Sequence, residues 1–97
     1  MSDVTVVNNA AESRFEAHVE GEVVGRVDYV TAGNTIDLTH TVVEPGHEGE
    51  GIGSQLVRGV LDYLKADKPD LTVIPTCPFV KSYIDRHPEY QALVDPR

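Results

Sequence analysis

The sequence predicts an α/β domain in which a mixed, mostly antiparallel sheet is packed against two helices. Apolar and polar residues alternate between tight turns over the first 43 residues, which is typical of an antiparallel meander. Two stretches with helical spacing then enclose one short apolar strand, which is typical of a parallel crossover. The expected order is β-β-β-β-α-β-α. A chain of 97 residues has room for one domain, residues 1–97.

Four strands are predicted in the first half of the chain. Each is a short run with apolar residues at alternate positions, as in a half-buried strand. Gly21 and Gly33 lie in the tight turns that separate the second, third and fourth runs. The four runs are residues 4–7, 15–19, 23–30 and 35–43.

An amphipathic helix is predicted over residues 52–66, because six apolar side chains recur there at a spacing of about 3.6 residues. They are Ile52, Leu56, Val57, Val60, Leu61 and Leu64. The apolar run at residues 71–74 is most easily buried as a strand parallel to an earlier one. Pro78 suits the first position of a last helix, which ends near His87.

The charge of the chain excludes several classes of partner. Sixteen acidic side chains against eight basic ones give a net charge of −8. This balance argues against nucleic acid and anionic membranes, whereas amines and basic peptides remain open. The charge is also uneven, since residues 1–50 hold ten acids and two arginines and residues 51–97 hold six of each sign.

Cysteine content and hydropathy predict where the protein resides. A single cysteine excludes an internal disulfide and fits a reducing compartment. The sequence has no apolar run long enough to span a bilayer and does not begin like a signal peptide. We therefore expect a soluble cytoplasmic protein, and the small number of aromatic residues favours a monomer.

A glycine-rich loop leads from the fourth strand into the first helix, with Gly49, Gly51 and Gly53 at alternate positions. Such a loop lets backbone N–H groups converge on an anion, and the helix dipole adds partial positive charge. The alternative is that the glycines only form a tight turn. Since Glu48 and Glu50 lie in the loop, main-chain groups would have to hold the anion. Four basic side chains could meet more distal phosphates: Arg58, Lys65, Lys81 and Arg86.

Two side chains are candidates for acid–base or nucleophilic chemistry, and they lie near the ends of strands that we expect to be neighbours. Period-two counting places His40 on the buried face with Ile36, Leu38 and Val42, where a partly desolvated imidazole would act as a base. Cys77 lies at a predicted helix N-terminus, which stabilises a thiolate. The alternatives are a hydrogen-bonded core histidine and a small buried apolar residue. The His and Cys positions show no metal-ligand spacing.

At this point the chain resembles the GNAT superfamily of N-acetyltransferases, and within it a small single-domain branch with a Pro-x-Cys-x-Phe-Val motif. The six residues 48–53 are similar to the superfamily signature Arg/Gln-x-x-Gly-x-Gly/Ala. The resemblance covers residues 13–94. Four stretches carry it: His40-Thr-Val-Val43, Glu48-Gly49 with Gly51-Ile-Gly53, Pro75-x-Cys77-x-Phe-Val80, and Tyr83-Ile-x-Arg-His-Pro-Glu-Tyr90.

The resemblance implies a minimal GNAT-like fold and transfer of an acetyl group from acetyl-CoA to a primary amine, without a metal. The acceptor would be a small amine or a protein lysine or N-terminus. The resemblance further implies that backbone groups of two valines meet the pantetheine arm and that the N–H groups of the glycine loop hold the pyrophosphate. The implied CoA-binding set is Val42, Val43, Gly49, Glu50, Gly51, Ile52, Gly53 and Ser54.

Catalytic roles fall to Cys77 and His40 by the same resemblance. Many members of the superfamily use a tyrosine to protonate the departing thiolate. Aligning Cys77 with the superfamily's asparagine places Ile84, and not Tyr83, at the position of that tyrosine. The alternative function is a CoA or acyl-CoA binding module without turnover, which the missing tyrosine and the two loop glutamates favour.

Overall fold

The computed structural model describes residues 4–47 and 51–95, and over these ranges it confirms the mixed α/β fold. One sheet contains five strands in the order β1-β2-β3-β4-β5 within this part of the chain. The strands are β1 (Thr5–Asn9), β2 (Arg14–Val19), β3 (Glu22–Ala32), β4 (Thr35–Val43) and β5 (Thr72–Ile74). The helices are α1 (Ile52–Asp67) and α2 (Pro78–Arg86), and the 3-10 turns are Ala10–Glu12 and Pro88–Leu93.

Strands β1 to β4 form the predicted antiparallel meander, and β5 returns parallel to β4 after the crossover through α1. All six apolar positions predicted for α1 are buried, and α1 contacts β1, β2, β3, β4 and α2. Gly25 of β3 permits this close packing. A Cβ there would lie 3.1 Å from the Val42 carbonyl oxygen and 3.5 Å from the side chains of Ile52 and Leu56. The beginning of α1 therefore lies beside the end of β4.

Strand β4 contains one more residue than β3 at Thr39. Asp28 is paired with His40, and the next residue, Tyr29, is paired with Leu38, so Thr39 has no direct partner. Such a β-bulge interrupts the alternation of side chains along the strand. Even-numbered side chains therefore face α1 before Thr39, and odd-numbered side chains face it after Thr39.

The bulge overturns the prediction that His40 lies on the buried face with Ile36 and Leu38. Those two side chains are 2% and 0% exposed, but His40 is exposed and Val42 is 37% exposed. Because one extra residue precedes it, His40 projects from the face of the sheet opposite α1. Thr41 takes the inward direction in its place, and its side chain is half-buried.

The face of the sheet opposite α1 carries a hydrogen-bonded cluster centred on Glu16, which is only 5% exposed. Its carboxylate accepts hydrogen bonds from Asn9 Nδ2 at 3.0 Å and Arg14 Nε at 2.8 Å, and His18 Nε2 lies 2.9 Å away. The hydrogen bond from Asn9, with those from His18 and Arg14, lowers the pKa of Glu16 to about 2. The cluster joins β1 to β2 by side chains as well as by backbone.

None of the helices described here has the length and apolar character needed to cross a bilayer.

Candidate functional site

Strands β4 and β5 separate toward their carboxyl ends. They are paired only from Thr35–Thr72 to Asp37–Ile74, and the next link is the Cys77 N–H, which donates to the Leu38 carbonyl at 2.9 Å. Within the ranges 4–47 and 51–95, no strand pairs with this side of residues 39–43. Alternate backbone groups of that segment, which includes the predicted CoA-binding residues 42 and 43, therefore point into an open gap.

The N-terminus of α1 lies at the same end of the sheet. Gly51 precedes the helix with a φ of +75°, a left-handed conformation that favours glycine. The first hydrogen bond of the helix runs from the Gln55 N–H to the Gly51 carbonyl, so the N–H groups of Ile52, Gly53 and Ser54 have no acceptor within it. The first turn has no side-chain cap and no acidic residue, so it suits a phosphate group.

The structure describes the predicted glycine loop from Gly51 onward. Three residues of the predicted loop, Glu48, Gly49 and Glu50, lie outside the described residues. Gly53 also allows close contact between the two helices, since a Cβ there would lie 3.0 Å from the ring of Phe79 in α2. The first turns of α1 and α2 are therefore neighbours.

Cys77 is the N-cap residue of α2, and Pro78 follows it at the first helical position, as the sequence predicts. The Cys77 side chain is buried, with 5% of the residue exposed. Its Sγ donates a hydrogen bond to Thr41 Oγ1 at 3.3 Å. The thiol is therefore held against β4 by a side chain from beyond the bulge.

Opposing effects act on the pKa of the Cys77 thiol. Burial raises the pKa, because it disfavours the thiolate, but the Thr41 hydroxyl and the backbone N–H groups of Val80, Phe79 and Thr41 lower it. The N–H groups of Phe79 and Val80 belong to the first turn of α2, whose dipole also favours negative charge, although no side-chain cap hydrogen bond is formed. The net result is a pKa below the ordinary value for cysteine.

His40 is not in hydrogen-bonding contact with Cys77. Its Nδ1 lies 3.2 Å from Thr39 Oγ1, and its side chain is exposed on the other face of β4. The structure thus joins Cys77 to Thr41 and leaves His40 facing solvent. The catalytic role of His40 stays a prediction.

Thr41 is the site residue that sequence reasoning missed. Period-two counting along the fourth strand puts it on the face opposite Ile36 and Leu38, away from the core. Only knowledge of the extra residue at Thr39 would have turned it toward Cys77. The pattern of this strand by itself contains no signal for that residue, because the bulge is defined by pairing with β3.

A comparison with known families gives an independent result. A family model of GCN5-related N-acetyl-transferases matches residues 14–93, which is most of the chain. No curated protein matches it. Among the residues that the structure describes, no three His, Cys, Asp or Glu side chains are grouped so that they could hold a metal ion. The open edge of β4, the uncapped start of α1 and the family match agree with one another, and the chain belongs to the GCN5-related N-acetyltransferase family.

Proposed function

We propose that the protein transfers an acetyl group from acetyl-CoA to a cationic primary amine. Acetyl transfer is the general activity of the family to which the chain belongs. The observation that carries the proposal is the position of a thiol of lowered pKa, Cys77, at the gap between β4 and β5. A second anion-binding element, the first turn of α1, lies beside the other end of that gap.

Main-chain groups supply the binding of the donor in this proposal. The pantetheine arm, which contains amides, pairs with the open edge of β4 at Val42 and Val43, as an added strand would. The N–H groups from Gly49 to Ser54 hold the pyrophosphate. These interactions are alike in the ground state and the transition state, so weakening them raises KM more than it lowers kcat.

Cys77 is the proposed acid. The amine nitrogen forms a bond to the thioester carbonyl carbon, the carbon–sulfur bond breaks, and Cys77 gives its proton to the departing thiolate. A thiol whose pKa lies below the ordinary value transfers a proton to an alkyl thiolate readily. Thr41 then donates its hydroxyl proton in a hydrogen bond to the Cys77 thiolate, which regains a proton from solvent. In a ping-pong variant, the Cys77 thiolate first accepts the acetyl group and passes it to the amine.

His40 is the proposed base. Because its ring lies on the solvent face of β4, it takes the proton of the attacking amine through a water molecule. The acceptor is a small amine or a protein lysine or N-terminus, all of which carry positive charge before they are deprotonated.

Alanine substitutions test the two roles. We expect Cys77→Ala to lower kcat by about 10²-fold or more, with a small change in the KM for acetyl-CoA, because a proton donor to the transition state is lost. His40→Ala should lower kcat in a way that free imidazole partly restores. Release of CoA thiol, followed colorimetrically with a panel of amines, measures both effects. Full activity in both variants contradicts both mechanisms.

The second candidate function is a CoA or acyl-CoA binding module without turnover. The exposed position of His40, away from Cys77, favours it. Calorimetric titration with CoA separates the candidates when it is combined with the thiol-release assay. Tight binding of CoA without release of thiol for any amine would establish the module and exclude the enzyme.

A further inference from the structure

A groove lies between α1 and α2, and the described residues that line it include no carboxylate. Its cavity of about 230 Å³ adjoins the first turn of α1. It is lined by Ser54, Gln55, Arg58, Tyr83, Arg86 and His87, which we call the α1–α2 groove. Two arginines and a histidine without an acidic neighbour in the lining are notable in a chain of net charge −8. The groove is therefore suited to an anion.

Two contacts fix the position of His87 in the groove. The rings of Tyr83 and His87 are stacked, with centroids 4.0 Å apart and planes at 18°. His87 Nδ1 lies 2.8 Å from the Tyr83 carbonyl oxygen, and since a carbonyl only accepts, Nδ1 carries the proton. The other ring nitrogen, Nε2, is thus left for a ligand.

Among residues 4–47 and 51–95, acidic side chains line an adjoining cavity of about 340 Å³ that shares Arg58, Tyr83 and His87 with the groove. There Asp62 accepts a hydrogen bond from the Tyr90 hydroxyl at 2.6 Å and lies 3.8 Å from Arg58 Nε. Part of the negative charge of Asp62 is therefore already neutralised. The α1–α2 groove, which lies nearer the start of α1, is therefore more favourable for an anion than the adjoining cavity.

The structure separates the four basic residues that the sequence suggested for distal phosphates. Arg58 and Arg86 line the α1–α2 groove, and Lys65 lines the adjoining cavity. Lys81 does not belong to this group. Its Nζ lies 3.2 Å from Asp85 Oδ2, and it lines a different cavity beside β5 with Ile74 and Pro75. Lys81 therefore lies outside the α1–α2 groove.

We propose that the α1–α2 groove binds the 3′-phosphate on the ribose of CoA and makes the protein selective for the 3′-phosphorylated donor. This inference rests on the proposed function, in which the first turn of α1 holds the pyrophosphate. Arg58 lies one helical turn beyond Ser54, about 6 Å along the axis, and the ribose separates two phosphate sites by a comparable span. Guanidinium groups of Arg58 and Arg86 can hold a phosphate through paired N–H groups.

The test compares CoA with 3′-dephospho-CoA, which lacks only this phosphate, by calorimetric titration. We expect the wild-type protein to bind CoA at least about 10-fold more tightly than dephospho-CoA. Arg86→Gln and Arg58→Gln should each reduce that ratio by about 3- to 10-fold and leave the affinity for dephospho-CoA unchanged. Both side chains are exposed, so neither change disturbs the core. Lys81→Gln is the matched control on α2 and should leave the ratio unchanged.

The outcomes distinguish this inference from the proposed function. Equal affinities for the two compounds in the wild-type protein overturn the groove as the phosphate site and leave the proposed function intact. If Lys81→Gln lowers the ratio of the two affinities as much as Arg86→Gln does, the groove is also overturned as the phosphate site. The loss of affinity would then come from the net charge of the protein and not from a contact in the groove. Failure to bind either compound refutes the proposed function, and the inference falls with it.

Discussion

At the scale of single residues, the contact between Cys77 and Thr41 is one of the interactions that lower the pKa of the thiol against the effect of burial. The Thr41 hydroxyl accepts from the neutral thiol and can donate to the thiolate, so it favours ionisation in a buried place. Thr41→Val removes this donor with little change in shape. We expect the pKa of Cys77 to rise, as followed by the ultraviolet absorbance of the thiolate during a pH titration.

Thr76→Val is the matched control for this prediction, since Thr76 is exposed and adjacent to Cys77. The control should titrate like the wild-type protein. An unchanged midpoint in Thr41→Val would show that the amides of α2 alone set the pKa.

We expect Glu16 to make the stability of the sheet depend on pH in the acid range. Its pKa is about 2 in the folded protein, against an ordinary value of 4.5, so the ionised form is stabilised by folding. The sign follows from linkage: this contribution is complete above pH 4.5 and is lost as the pH falls toward 2. Urea unfolding between these pH values should show the free energy of unfolding declining.

Glu16→Gln provides the comparison for the acid-stability prediction. Because glutamine does not titrate, the variant should be less stable near neutral pH, by about 1–3 kcal/mol, and its stability should depend less on pH in the acid range. Equal slopes in the two proteins would mean that other carboxylates cause the acid transition.

At the scale of elements, local patterns predicted the strands and helices but not the register between strands. The apolar spacing placed α1 within one residue of its observed end, and the turns at Gly21 and Gly33 separated the strands correctly. The side chain of His40 was placed on the wrong face because the bulge at Thr39 depends on how β3 and β4 pair. Pairing is a property of two distant segments, so alternation along one of them cannot reveal it.

Close packing of α1 on β1 explains a glycine in the middle of the helix. Alanine at an open helical position would gain up to about 1 kcal/mol over glycine. At Gly59, however, a Cβ would lie 2.5 Å from Val6 Cγ2. We expect Gly59→Ala to destabilise the protein by about 1–2 kcal/mol in urea unfolding, because the edge strand must shift.

A double-mutant cycle identifies the cause at Gly59. Val6→Ala removes the two methyl groups and leaves only its Cβ, which would lie 3.1 Å from the new Cβ, so the loss caused by Gly59→Ala should be much smaller in the Val6→Ala background. If the losses of stability from Gly59→Ala and Val6→Ala simply add in the combined variant, contact with the Val6 side chain is not the cause of the strain.

At the scale of the whole molecule, charge is divided between the two halves of the chain. The meander half holds ten acids and two arginines, whereas the half with α1 and α2 is neutral. The acidic half would attract a cationic acceptor, and the neutral half keeps basic side chains for phosphate. The distribution of charge along the chain thus agrees with binding of the amine acceptor by the first half and of the acetyl-CoA donor by the second half.

Salt tests this division. Raising the ionic strength from about 0.01 to 0.1 M shortens the screening length from about 30 to about 10 Å. We expect the KM for a cationic amine to climb over this range while kcat stays constant, and a neutral acceptor to show a smaller change. A flat KM for the cationic amine would assign the acidic residues to solubility.

The bulge at Thr39 adds a residue to β4 without setting the faces of the residues that follow it. Leu38, His40 and Thr41 pair with three consecutive residues of β3, Tyr29, Asp28 and Val27. Deletion of Thr39 would therefore leave a regular ladder in which Thr41 still meets the sulfur of Cys77 and His40 still faces solvent. The partner of the thiol is thus selected by the pairing of β4 with β3, and not by the number of residues in β4.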